Sequence, residues 1–409
     1  MIEHEVIVVG DTLSANITAA LLAKKGINVG FVRKKKKRYR EIENLWIGPP
    51  APFLELAEVL QLSSRLQRTK GFFVHRNHRT YRLPVSMWQL VSYRYLPFSA
   101  RLKTAIDLLA LNRVEPEKIG ACTARDLIET LKFDNFTKSY LLSLGSFITC
   151  IPWGGVDAIT FFSSLIYLRT VYPEVYCIRP GIEEFLTELE EVYASHATVY
   201  EAECTGLAAE NNRAIAVFLG DRSIEAKSFV LSTEPYELGA LVRGLEHPVI
   251  KEYGRMSAKS FDVKIVLKER LSETQTSVVI EDAPLLGVSP SSAWRSGRAT
   301  TYWRYFIGRE ERKEEEIERK FRILMAKAFP NFWSNVETIE QILTDVPLPY
   351  YKKLPQRLLR NLFIGTRNVY GNNLRDEVRA GIDAFLLSHA YLKESIHTSE
   401  RIKNLTYIP

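Results

Sequence analysis

Four apolar residues in a row, Val6 to Val9, end at Gly10, and beyond them Ile17, Ala20, Leu21 and Leu22 recur at helical spacing. The β-branched run suits a strand buried on both faces. The good helix formers from Ala15 to Lys25, with Gly26 behind them, predict a helix and its stop. Ile27, Val29, Phe31 and Val32 then predict a second strand. Strand, helix and strand in this order make a βαβ unit, whose helix N-terminus is suited to a dinucleotide pyrophosphate.

The pattern continues with a helix over Phe53 to Leu66 and a hairpin, Gly71 to His75 and Thr80 to Leu83, around Asn77 and His78. A long helical region follows from about 86 to 171, with the capped start Thr123-Ala-Arg-Asp126 and an apolar stretch from Tyr140 to Val171 around Trp153. That stretch reads mainly as core packing, with a roof over a ligand cavity as the functional alternative. Ile178 to Tyr193 is a turn and a helix. Thr198 to Glu201, Thr205 to Glu210 and Ala214 to Leu219 read as strands, and Phe229 to Ser232 as a parallel core strand. A second strand-rich block spans Ser260 to Tyr305, a charged helix Glu310 to Phe329, and a short strand, Asn361 to Ile364, leads to a helix over Leu374 to Leu392.

The pyrophosphate fingerprint is G-x-G-x-x-G/A, with an acid about 20 residues on. Its degenerate form here has Gly10, Thr12 and Ala15, with Ser14 among them, and Arg33 in the acid position. Thr12 puts a side chain where backbone must approach phosphate, and a guanidinium offers no acceptor to a ribose hydroxyl. Arg33, Lys34 and Lys35 together have the character of a 2′-phosphate reader, which would make the nucleotide NADP(H).

Composition narrows the classes. The 409 residues are 46% hydrophobic and 25% charged, as in a soluble globular protein of two connected domains or one large one. No run is long and apolar enough to predict a transmembrane segment, and the N-terminus lacks a signal-peptide pattern. Four scattered cysteines have neither metal-site spacing nor a disulfide framework, which fits a reducing cytoplasm. The net charge of +7 owes part of its excess to Arg33–Arg40. Such a run suits phosphate, a membrane surface or nucleic acid, or simply a solvated loop. With Tyr39 as the one interleaved aromatic, no nucleic-acid partner is expected, whereas peripheral membrane contact stays open.

Four places in order along the chain resemble the superfamily of FAD-dependent amine oxidases, phytoene desaturases and protoporphyrinogen oxidases. They are the βαβ unit, Arg179-Pro180-Gly181 to Phe185, Val230-Leu-Ser-Thr-Glu-Pro235, and Asn361 to Thr366 with Gly371 to Gly381. The resemblance implies an α/β fold: a Rossmann-like FAD/NAD(P)-binding domain (1–85, 175–250 and 355–409) with an inserted α+β substrate domain (86–174 and 251–354). It implies that Gly10, Thr12, Ser14 and Ala15 form the pyrophosphate loop and that Arg33 and Lys34 stand at the ribose. Lys35 to Arg38 replace the family's Gly-Gly-Arg segment. Cys204 lies where strand backbone pairs with adenine, and Gly365-Thr366 replaces the usual Gly-Asp. The helix starting at Asn372, Asn373 and Leu374 would turn its N–H groups toward the flavin.

The function so implied is a flavin-dependent oxidoreductase of amine oxidase or desaturase type, with FAD as cofactor and an apolar small molecule as substrate. No catalytic residue stands out. His75 and His78 are the titratable candidates, and both are expected at the hairpin surface. The alternative is a non-catalytic relative that has lost FAD and serves as a scaffold or binds a lipid or protein, as Rab GDP-dissociation inhibitors of similar fold bind a prenylated partner. The loss of both acids, at Arg33 and Thr366, supports this, since each charge-assisted hydrogen bond is worth about 1.5–3 kcal/mol. The charge of Arg33 to Arg38 argues for a retained pyrophosphate. A third reading is an NADP(H)-binding variant.

Overall fold

Strand β1 (His4–Val9), helix α1 (Leu13–Lys24) and strand β2 (Val29–Arg33) form the expected unit. The computed structural model describes residues 3–34, 40–69, 71–76, 78–84, 87–93, 96–111, 122–131, 133–150, 156–162, 175–242, 247–254, 257–269, 278–280, 285–288, 299–307, 313–348, 352–369 and 373–405. After β2 come β3 (Trp46–Ile47), α2 (Ala51–Leu60), β4 (Arg65–Arg68) and the hairpin β5 (Phe72–Arg76) and β6 (Arg79–Leu83). Helices α3 (Met87–Val91), α4 (Phe98–Leu111), α5 (Ala124–Thr130) and α6 (Asn135–Thr149) follow. Next are β7 (Val175–Arg179), α7 (Ile182–Tyr193), β8 (Ala197–Glu201), β9 (Gly206–Glu210), β10 (Arg213–Leu219) and β11 (Arg222–Leu231). Helices α8 (Pro235–Leu241) and α9 (Pro248–Tyr253) precede β12 (Ser257–Leu267), β13 (Val278–Ile280), β14 (Leu285–Val288) and β15 (Ala299–Phe306). The chain closes with α10 (Glu314–Ala328), β16 (Val336–Pro347), β17 (Arg357–Leu359), β18 (Leu362–Ile364) and α11 (Leu374–Leu405).

The first sheet has β18, β11, β1, β2 and β8 parallel in that order. Strand β11 serves two partners: its start pairs antiparallel with β10, and Ala226 to Leu231 run parallel to β1. Period-two alternation divides β1 between two layers. Val6 and Val8 face α1, α7 and α11, whereas Ile7 and Val9 face α8 and α9. Helix α1 is buried on every side from Leu13 to Ala23, so its apolar residues have no single preferred face. Gly381 permits this enclosure: a Cβ there would meet the Ser14 carbonyl oxygen at 2.8 Å, so α11 crosses α1 as close as backbone allows.

The second sheet runs β16-β12-β15-β14-β13-β5-β6. Phe261, Val263, Ile265 and Leu267 of β12 pack with Ile317, Phe321 and Met325 of α10. Alternation turns Ser260 and Asp262 to the opposite face of the sheet. The hairpin β5–β6 joins this sheet through β5–β13 pairing, Phe73 to Val278, although the sequence reading groups 72–83 with the dinucleotide domain. That pairing spans some two hundred positions and leaves no local signal. In the helical layer, Leu141, Leu144, Phe147, Phe161 and Phe162 form packed core, with Phe147 stacked on Phe72 at 4.6 Å between ring centroids. Trp153 and residues 163–171 lie outside the described residues. No described helix is long and apolar enough to cross a membrane.

Candidate functional site

The carboxyl ends of β1, β2, β11 and β18 converge on the N-terminus of α1. Gly10 leaves β1 at φ 138°, and a Cβ there would strike the Ser232 carbonyl oxygen, so only glycine fits. Thr12 caps α1, accepting from the Ala15 N–H at 3.2 Å and donating to the Ser232 carbonyl at 2.6 Å. The hydroxyls of Thr12, Ser14 and Ser232 form a buried triangle with edges of 2.9, 2.8 and 3.1 Å. Ser232 in turn donates to the Gly365 carbonyl. Thr12 and Ser232 thus spend their protons on backbone, and Ser14 spends its own inside the triangle.

The first free N–H of α1 is also taken. Leu13 donates to Glu377 Oε1 at 2.9 Å, a carboxylate on the positive end of a helix dipole. Glu377 is four residues before Gly381 on α11, one turn away on the same face, so the close crossing delivers it there. It begins a chain of buried charges. Arg40 lies 3.5 Å from Glu377 Oε1 and donates to the Asp11 carbonyl at 2.8 Å. Arg367 lies 3.2 Å from Glu377 and 2.9 Å from Glu43. Glu43 meets Arg304 at 3.2 Å, and Arg304 grips Asp262 with two bonds of 2.9 and 2.8 Å. Glu234 stands 4.0 Å from Arg367. All of these groups are buried. Burial, with Glu43 next in effect, pushes the nearby Cys150 thiol up to about 12, so it stays protonated.

A crevice of about 320 Å³ remains open beside this chain, lined among others by Gly10, Asp11, Lys34, Glu203, Cys204 and Tyr236. Its position, outside the carboxyl ends of parallel strands where neighbours lie on both sides of β1, is where α/β folds take ligands. Burial raises the Cys204 thiol, whose sulfur meets the Gly206 carbonyl at 3.4 Å. The two cations expected to read ribose or phosphate are already paired. Arg33 bonds Glu190 at 2.6 Å and the Tyr193 hydroxyl at 2.9 Å, and Lys34 bonds Glu203 at 2.7 Å.

No protein-family model matches the chain, and no curated protein matches it. Solved structures do. An oxidoreductase from Methanosarcina mazei superposes with a TM-score of 0.70 at 13% identity, over 93% of this chain and 99% of its own. Cyclohexylamine oxidase from Brevibacterium oxydans IH-35A gives 0.68 at 14%, over 96% and 99%. The fold is of the amine oxidase type. Putrescine oxidase bound to putrescine shares this amine oxidase-type fold, with a TM-score of 0.67 at 11% identity over 94% and 98%.

In an amine oxidase-type fold the FAD pyrophosphate would lie against the N-terminus of α1. The residues there do not fit it. A dianion would have to share the helix end with the Glu377 carboxylate, and the loop hydroxyls have no proton to offer. The start of α11 is likewise closed on itself: Asn373 caps it, accepting from the Asp376 N–H at 3.1 Å, and Leu374 is buried in the core. Thr366 is buried at the end of β18. Asn372 and Lys35 to Arg38 lie outside the described residues.

His78 is exposed as expected, but His75 is buried, because β13 pairs with its strand and the end of α10 covers it. Its Nε2 donates to the Ala328 carbonyl at 2.7 Å and its Nδ1 accepts from Thr80 at 3.0 Å. Burial holds its pKa below the usual histidine range, against the pull of the Ala328 bond. It borders a separate groove of about 550 Å³ on the second sheet. Reading by motif missed Glu43, Asp262, Arg304, Arg367 and Glu377. A signal did exist: Asp262 and Arg304 each interrupt an apolar strand, and they face each other directly across β12 and β15.

Proposed function

We propose that this chain is a non-oxidising member of the amine oxidase-type fold, acting as a scaffold that binds a lipid or protein partner. The observation that carries this reading is the Glu377 carboxylate on the Leu13 N–H, held by Arg40 and Arg367. Charge that an anionic cofactor would bring is supplied from within, and fold alone does not assign an activity. Equilibrium dialysis against FAD tests it: no saturable binding is expected for the native chain. Glu377→Ala frees the helix end and should raise affinity for FAD and ADP. Tight FAD binding by the native chain would overturn the reading.

The crevice beside Lys34 and Cys204 favours a second reading, a flavin-dependent oxidoreductase that holds FAD in an unusual pose. The NADP(H) variant has less support, because Arg33 and Lys34 already have carboxylate partners.

A further inference from the structure

Helix α4 turns a row of large apolar side chains outward. Phe98, Leu102, Ile106 and Leu109 are 66, 54, 57 and 55% exposed. Their spacing of four, four and three places them on one face. The side turned into the protein is held by small and polar groups: Ala105 is buried in the core, and the Thr137 hydroxyl of α6 lies 3.1 Å from both Thr104 Oγ1 and Asp107 Oδ2. Burial on folding cannot account for this arrangement, because the apolar side chains stay in contact with water.

The charges beside the stripe say what suits it. The Arg101 guanidinium lies over the Phe98 ring, 5.5 Å from its centroid, and donates to the Val91 carbonyl. Val91, on α3, is itself about half exposed and extends the apolar surface. Lys103 is exposed, 4.0 Å from Asp134. Asp107, the carboxylate of α4, is engaged with Thr137. The chain carries +7 overall. A second copy of the chain would bring this basic fringe against itself, whereas an anionic bilayer complements it. We propose that α4 seats the protein on an anionic lipid surface. The helix lies in the plane of the interface, with Phe98, Leu102, Ile106 and Leu109 among the acyl chains and Arg101 and Lys103 at the level of the phosphates. The inference is independent of whether FAD is bound.

Co-sedimentation of the full chain with vesicles tests it, using phosphatidylcholine alone and phosphatidylcholine mixed with phosphatidylglycerol. Binding is expected to the anionic vesicles and to weaken as salt is raised. Ile106→Asp should lower the partition coefficient at least about tenfold, through loss of apolar insertion. Lys103→Gln should lower it about fivefold. Both positions are exposed, so circular dichroism should match the native chain. Three results would each overturn the proposal: failure to sediment with anionic vesicles, equal binding of Ile106→Asp and the native chain, or a lipid-free dimer split by Ile106→Asp with vesicles ignored.

Discussion

Glu377 and Glu41 show how one carboxylate can serve a helix end in two ways. Glu377 satisfies α1 while two guanidinium groups neutralise it. Arg367→Met should therefore remove the cation that Glu43 and Glu377 share, leaving Arg304 and Arg40 to offset them, at a cost of about 3–5 kcal/mol in urea unfolding. Glu41 accepts from the N–H groups of Ile182 and Glu183 at the start of α7, but burial pushes its pKa up to about 7, against the opposing hydrogen bonds from Asn44 and those amides. An acid with a raised folded-state pKa contributes stability that is complete below its unfolded value and lost as pH rises through the folded one. Unfolding free energy should thus fall by about 3 kcal/mol between roughly pH 4.5 and pH 7 on account of this group. Glu41→Gln keeps the acceptor and removes the proton, so its unfolding free energy should lack that decline. At this scale the sequence was only partly legible. Thr12 and Arg33 stood out because a known pattern names their positions. Glu377 looked like any helix-surface acid until the α1 crossing gave it a partner.

Elements were easier to read, because their signals are local. The β1–α1–β2 unit follows from a β-branched run, a helical period and two glycines within one short segment. The sheet to which β5 and β6 belong was not legible, since β13 lies far along the chain. The last helix continues past Leu392 to Leu405, where the apolar period fades and no stop residue intervenes. The crossing of α1 and α11 rests on Gly381, whose added Cβ would also meet Ile17 Cβ at 3.0 Å. Gly381→Val should cost about 1–3 kcal/mol through overpacking. It should also pull Glu377 off the Leu13 amide, which amide hydrogen exchange at Leu13 would report as lost protection.

For the whole molecule, architecture and chemistry separate. Four short segments in order were enough to expect the amine oxidase-type fold, because each marks a point where β1, β11, β18 or α7 must meet the others. The chain of buried charges was not legible, because it depends on which side chains from both sheets converge. Asp262 and Arg304 come from the second sheet, while Arg367 and Glu377 come from the end of the chain, and Glu43 joins the two pairs. This chain of charges ties the two sheets together and ends at the N-terminus of α1. The most direct test is the visible absorption spectrum of the purified native protein after incubation with excess FAD and desalting. The account predicts a colourless protein. Retained bands near ~370 and ~450 nm, in stoichiometric amount, would contradict it.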